Sequence, residues 1–205
     1  MQTDKITERI VSWLKNYAEK ANVKGYVVGV SGGVDSAVVS TLCAMTGLKI
    51  LLIEMPIRQN QDEVNRAWEH MEHLKKEFTN VEAISVNLSP AFEELYKTFD
   101  VKNEDFPAEK LAFANTRSRL RMLTLYYYGQ INNLLVCGTG NKIEDFGVGF
   151  FTKYGDGGVD VSPIADLYKT EVYALAKSLN LVESIQSAIP EDGLWDESRT
   201  DEQQI

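Results

Sequence analysis

Residues 27 to 36 read Val27-Val28-Gly29-Val30-Ser31-Gly32-Gly33-Val34-Asp35-Ser36, a buried-strand pattern that runs into a glycine turn. Val27, Val28 and Val30 are β-branched and apolar, as a strand covered on both faces requires. Gly32 and Gly33 follow, and Val34 to Met45 is small and apolar enough to be a helix packed on that sheet. A strand, a glycine turn and a helix N-terminus aim several backbone N–H groups at one point, and the helix dipole adds to them. Such a pocket binds phosphate. The plainer alternative is that Ser31 or Asp35 only caps the helix. The strand before the glycines and the Ser-Gly-Gly-x-Asp-Ser spacing favour the phosphate site.

No lysine follows the glycines, so the turn departs from the common phosphate loop Gly-x-x-x-x-Gly-Lys-Ser/Thr. Asp35 stands there instead, beside the hydroxyls of Ser31 and Ser36. A carboxylate at a phosphate site repels its ligand unless a divalent cation lies between them, which makes Asp35 a candidate Mg²⁺ ligand. These residues resemble the pyrophosphate-binding loop of the N-type ATP pyrophosphatases, which split ATP into AMP and pyrophosphate.

At 205 residues the chain is long enough for one α/β domain with a full core. Its hydrophobic and charged fractions, 44% and 25%, are ordinary for a globular protein. No apolar run approaches the roughly 20 residues of a membrane span. The charged, amphipathic first 20 residues do not read as a secretory signal. Cys43 and Cys137 make neither a disulfide framework nor a zinc spacing, so a cytoplasmic location is expected. A net charge of −9 argues against a broad nucleic-acid surface.

Strand and helix signals alternate along the chain. Lys49–Pro56 predicts a second buried strand, Asn60–Phe78 a surface helix and Val81–Leu88 a third strand. Ser89 is expected to cap a helix through about Phe99, and a loop to end at Pro107. Ala108–Asn132 predicts a long helix, Leu134–Gly138 a fourth strand, Val159–Ile164 a short fifth and Asp166–Leu179 a further helix. This order predicts a single Rossmann-like domain, of the adenine nucleotide alpha hydrolase-like kind, with about five parallel strands and helices on both faces. Ligands in such folds gather at the carboxyl ends of the strands.

Three further segments fall at those ends or beside them. Gly138-Thr139-Gly140-Asn141-Lys142-Ile143-Glu144 follows the fourth strand directly. Its glycines let a nucleotide approach the backbone, Thr139 offers a hydroxyl, and Glu144 is a possible metal ligand opposite Asp35. A plain strand-to-helix turn is the competing account. Gly149 to Asp160 is rich in glycine and aromatics, with Lys153, Asp156 and Asp160. Exposed aromatics beside charges on a loop fit a ligand wall better than a solvated hairpin. In Asn115-Thr116-Arg117-Ser118-Arg119-Leu120-Arg121-Met122, Arg117 and Arg121 share a helix face, while Arg119 points about 200° round from each. At least one of these arginines is expected to turn from solvent toward an anionic partner.

Together these segments look like the ammonia-dependent NAD synthetases, a resemblance that runs from about residue 4 to 204. Its most specific part runs from Gly138 through Asp166-Leu167-Tyr168-Lys169-Thr170. The resemblance implies that Gly29, Val30, Ser31, Gly32, Gly33, Val34, Asp35 and Ser36 hold the ATP phosphates, with Thr139 and Lys169 as further ATP contacts. It implies Mg²⁺ on Asp35 and Glu144, and contacts from Arg119, Lys153 and Asp160 to nicotinic acid adenine dinucleotide, the deamido substrate. Asp35, Lys153 and Asp160 are then the expected catalytic residues. It also implies a homodimer, with the aromatic helix around Tyr126-Tyr127-Tyr128 as its surface. Two departures stand out. Glu191 occupies the place of an ATP-contacting hydroxyl, and the chain ends at Ile205 without the family's terminal helix and His-Lys pair. Its histidines, His70 and His73, read onto a surface helix.

The implied reaction is ATP-dependent amidation of deamido-NAD by ammonia through an acyl adenylate, giving NAD, AMP and pyrophosphate. Positioning and charge neutralisation carry most of it, since no residue reads as an activated nucleophile. Asp156 or Asp160 is a candidate to take the proton from ammonium. No stretch resembles a glutaminase, so free ammonia is the expected nitrogen source. Two rivals share the fold: a tRNA-modifying pyrophosphatase and an adenine-nucleotide-binding module without turnover. The acidic net charge and the placing of Cys43 in an apolar helical run disfavour the first. The acidic segment Ser187–Ile205 is expected to be mobile without ligand and protected by ATP with Mg²⁺.

Overall fold

A computed structural model describes residues 1–99, 101 and 106–188 of the chain. Helix α1 (Thr3–Ala21) leads into β1 (Gly25–Gly29), the glycine turn and α2 (Val34–Ala44). Then come β2 (Lys49–Glu54), α3 (Gln61–Glu77), β3 (Val81–Ser85) and α4 (Ser89–Thr98). A 26-residue helix α5 (Pro107–Asn132) crosses to β4 (Leu134–Cys137). A π-helical turn (Ile143–Val148), α6 (Lys169–Ser178) and the short α7 (Glu183–Gln186) follow.

All pairings are parallel and the strand order is β3-β2-β1-β4. The chain winds outward from β1 to β3, then returns through α5 to lay β4 on the other side of β1. The winding direction therefore reverses between β1 and β4, and the crevice at their carboxyl ends is where such a sheet binds ligands. Among the described residues the sheet has four strands where about five were expected. In place of the fifth strand, Val161 alone forms a parallel bridge to Cys137. The carboxyl of Asp160 meets the Val136 N–H, and the chain turns away after Val161 instead of continuing a ladder.

Strand alternation divides the core in two. Tyr26 and Val28 of β1 and Ile50 and Leu52 of β2 pack with α1, α2, α3 and α6. Val27, Leu51, Ile53 and Val136 face the opposite side, with Phe92 of α4 and the apolar side of α5. Tyr26 also donates its buried hydroxyl to Leu14 O at 2.6 Å, which ties α1 to β1.

Two local expectations are corrected. Ser89 does not cap α4: Leu88 takes that position, and the Ser89 hydroxyl accepts from the Arg58 N–H at 3.2 Å. His70 is not on a surface. It lies fully buried on the inner side of α3, 2.8 Å from the Ser40 hydroxyl, and burial lowers its pKa to about 4. A charged helix sequence concealed that inward histidine. Cys43 and Cys137 are free thiols in the core with sulfurs 3.6 Å apart, and burial holds Cys137 well above the ordinary thiol pKa. Glu191 and the rest of 189–205 lie outside the described residues.

Candidate active site

The glycine turn is shaped by its own serines. The Ser36 hydroxyl donates to Gly33 O at 3.0 Å and lies 3.2 Å from the Ser31 hydroxyl, which accepts from the Gly33 N–H at 3.3 Å. Gly33 itself is the N-cap of α2, and neither Ser31 nor Asp35 caps that helix with its side chain. Gly32 has φ +86°, and a Cβ there would stand 2.6 Å from Glu63 O, so only glycine fits between the turn and α3.

Asp35 sits in the first turn of α2, and Glu144 in the π-helical turn after β4. A third residue, Lys169 at the start of α6, joins them: its Nζ lies 2.7 Å from Asp35 Oδ2 and 2.9 Å from Glu144 Oε1. The three side chains are 17–25% exposed. Two carboxylates and one ammonium leave the cluster one negative charge in excess. Burial pushes the Asp35 carboxyl up against the pull of Lys169, and Glu144 adds to the rise. Burial alone would lower the Lys169 ammonium, but the two carboxylates outweigh it and hold it above the ordinary lysine range. Next to Glu144, burial with the charges of Glu144, Asp156 and Asp35 raises Asp145 to about 6.

The donor set is suited to Mg²⁺. Hard carboxylate oxygens from two elements converge, and their surplus negative charge is already drawing in a cation, the Lys169 ammonium. Among the described residues no group of three or more His, Cys, Asp or Glu forms a protein-only metal cage. Mg²⁺ is ordinarily held by one or two carboxylates completed by water and substrate phosphates, so two are sufficient.

The second group of expected residues lies along α5. The three arginines of the helix have different partners. Arg117 is 4% exposed and stacks over the Phe92 ring at 4.9 Å. Arg121 donates to Met55 O at 3.2 Å and Gln59 Oε1 at 2.7 Å. Arg119 faces the aromatic loop and donates from Nε to Lys153 O at 3.2 Å. The Lys153 ammonium stands over the Tyr154 ring at 5.2 Å.

Asp156 and Asp160 both hold backbone in place. Asp156 Oδ1 accepts from the Ser118 hydroxyl at 2.6 Å and the Thr152 N–H at 3.0 Å. Asp160 accepts from Tyr126 at 3.1 Å and from the Val136 N–H at 2.8 Å, while burial and then the Asp160 charge push the Tyr126 hydroxyl up to about 12. The loop is thus stapled to α5 and β4, and Phe151 and Tyr154 remain exposed on it. Thr139 is half-buried between β4 and Gly140.

Sequence reasoning missed Ser118, Asn115, Tyr126 and Asn141 as partners of these residues. Only Asn141 carried a local signal, as an N-cap residue type directly before a helical turn. The others are chosen by contacts across the fold, such as Thr152 Oγ1 donating to Asn115 Oδ1 at 2.7 Å.

Residues 6–205 match the NAD synthase family model. The chain is 45% identical over 197 residues to the NH3-dependent NAD⁺ synthetase of Carboxydothermus hydrogenoformans, covering 96% of this chain and 78% of that one. Among solved structures it resembles the NMN synthetase of Francisella tularensis, with a TM-score of 0.89 and 32% identity over 100% of this chain and 81% of that one. It also resembles the NH3-dependent NAD synthetase of Campylobacter jejuni, with a TM-score of 0.80 and 33% identity over 91% and 77% of the two chains.

Proposed function

The chain belongs to the NAD synthase family, and on that basis we propose that it amidates deamido-NAD with ammonia at the expense of ATP, yielding NAD, AMP and pyrophosphate. The observation that carries this reading is the convergence of Asp35, Glu144 and Lys169 at the crevice between β1 and β4, beside a glycine turn suited to phosphate.

In the first half-reaction the pyridine carboxylate oxygen attacks the α-phosphorus of ATP, the bond to pyrophosphate breaks, and an acyl adenylate forms. In the second, ammonia attacks the acyl carbon, the bond to AMP breaks, and the amide nitrogen loses its extra proton. Residues Gly29 to Ser36, with Thr139 and Lys169, hold the ATP, and Lys169 and the first turn of α2 offset charge on the phosphates. Arg119 and Lys153 bind the deamido substrate, with Asp160 at the base of that loop. Asp35 and Glu144 would hold Mg²⁺. When bound, Mg²⁺ supplies positive charge to the phosphates of ATP and to the leaving pyrophosphate. Of the three expected catalytic residues, Asp35 and Lys153 keep that role in this reading. The bonds that Asp156 and Asp160 make to backbone favour positioning over proton transfer for both.

A homodimer is part of this reading. Leu123, Tyr127 and Ile131 recur every fourth residue along α5 and are 62%, 59% and 61% exposed, an apolar ridge suited to a second copy. A cytoplasmic location is proposed as well. No helix among the described residues is long and apolar enough to cross a membrane.

The full-chain similarity to an NMN synthetase favours a second reading, in which the acid mononucleotide replaces the dinucleotide as the amidated substrate. The test is pyrophosphate release with ATP, Mg²⁺ and ammonium, run in parallel with deamido-NAD and with nicotinic acid mononucleotide. Faster turnover of the dinucleotide at equal concentration supports the first reading. Preference for the mononucleotide selects the second, and silence with both refutes amidation.

A further inference from the structure

The two carboxylates of the candidate site come from segments 109 residues apart in the chain, and besides Lys169 a second side chain links those segments. Asn141 is fully buried in the turn after β4. Its Nδ2 donates to Asp35 Oδ1 at 3.2 Å, on the carboxylate whose other oxygen meets Lys169. Its Oδ1 accepts from the N–H groups of Ile143 at 3.1 Å and Glu144 at 3.2 Å, which starts the π-helical turn that aims Glu144. The backbone beside it is held as well, since the Lys142 N–H donates to Leu167 O at 2.9 Å. Asn141 is therefore buried with a donor and an acceptor committed to opposite arms of the site. An amide is the side chain that meets both demands, since a carboxylate offers no donor and a hydroxyl is too short to reach both arms.

We propose that Asn141 is a positioning residue that sets the separation and orientation of Asp35 and Glu144, and thereby the affinity of the site for its divalent cation. This rests on the amidation reading above. Residues that hold metal ligands through hydrogen bonds typically cost about 10–100-fold in metal affinity or activity when replaced.

Asn141→Ser separates this role from simple folding. A serine hydroxyl still accepts from the Ile143 and Glu144 N–H groups as an N-cap does, but cannot reach Asp35. The variant and the unsubstituted protein are compared by Mn²⁺ binding without substrate, followed by electron paramagnetic resonance, and by the Mg²⁺ dependence of pyrophosphate release. The melting temperature of Asn141→Ser should stay close to that of the unsubstituted protein. Its Mn²⁺ dissociation constant and Mg²⁺ half-saturation should each rise about tenfold or more, with KM for the deamido substrate changed by less than about threefold. Asn141→Ala, which lacks the cap as well, should also melt earlier. Unchanged Mn²⁺ binding and Mg²⁺ half-saturation in Asn141→Ser would overturn the positioning role. An unsubstituted protein that binds Mn²⁺ but releases no pyrophosphate would instead count against the amidation reading, and the Mn²⁺ comparison would still decide the role of Asn141.

Discussion

Asp35→Asn should separate stability from activity, because the carboxylate serves the ligand at some expense to the fold. In the substrate-free cluster Asp35 is 2.7 Å from Lys169, an attraction of about 6 kcal/mol at an effective dielectric of 20. The substitution removes that attraction. It also removes the repulsion from Glu144, whose carboxylate shares the same ammonium at 2.9 Å and so offsets part of that attraction. The desolvation of a largely buried carboxylate, still several kcal/mol in real proteins, disappears too. These contributions nearly cancel, and Lys169 keeps Glu144 at 2.9 Å, so the net change in unfolding free energy should lie within about 2 kcal/mol of zero. Activity has no such compensation, since the neutral amide neither balances a divalent cation nor leaves the phosphates correctly neutralised. A loss of about 10²–10³-fold or more in pyrophosphate release is expected. Urea unfolding measures the first quantity, and release of pyrophosphate with ATP, Mg²⁺, deamido-NAD and ammonium measures the second. A variant within tenfold of normal release would refute the metal role of Asp35. One destabilised by more than about 4 kcal/mol would show that the carboxylate is part of the structural frame.

Arg119→Ala should weaken the deamido substrate by about 1.5–3 kcal/mol while leaving ATP nearly unchanged, because Arg119 faces the Lys153 loop and not the glycine turn. Equal losses for both ligands in calorimetric titrations would contradict that assignment. Paired Leu123→Glu and Ile131→Glu substitutions should halve the mass seen by light scattering, and an unsubstituted protein that already runs as a monomer would remove the α5 ridge as a dimer surface. Acid should destabilise the fold through His70. Its folded pKa, lowered from 6.5 to about 4 by burial, means that the unfolded chain binds the proton more tightly. Its contribution is therefore intact above about pH 6.5 and is lost as the pH falls toward 4, by about 3 kcal/mol in all. His70→Gln should flatten the dependence of urea midpoint on pH across that window, and an unaltered slope would show that other groups govern it.

What the sequence determined by itself is whatever depends on near neighbours in the chain. The apolar run before the glycines, the Ser-Gly-Gly-x-Asp-Ser spacing and the helix after it are set by backbone conformation and burial over a dozen residues. They placed β1, the turn and Asp35 within α2 correctly. Repeated strand and helix periods then implied a parallel sheet, and chain winding implied a site at the strand ends. The geometry of α5 follows from its 3.6-residue period, so the separation of Arg119 from Arg117 and Arg121 was legible as well. Only the tertiary structure decided which distant groups meet. Nothing local in Val159–Ile164 shows that Val161 forms a bridge to Cys137 where a strand was expected, or that Asp160 caps a neighbouring strand. Nothing local in α3 shows that His70, among charged residues, faces Ser40 across the core. Lys169 lies 134 residues from Asp35 and 25 from Glu144, yet its ammonium settles between them, with Asn141 bracing both. The cause is electrostatic and steric. Buried charges and amides must find partners wherever packing puts them, and packing is a property of the whole folded chain.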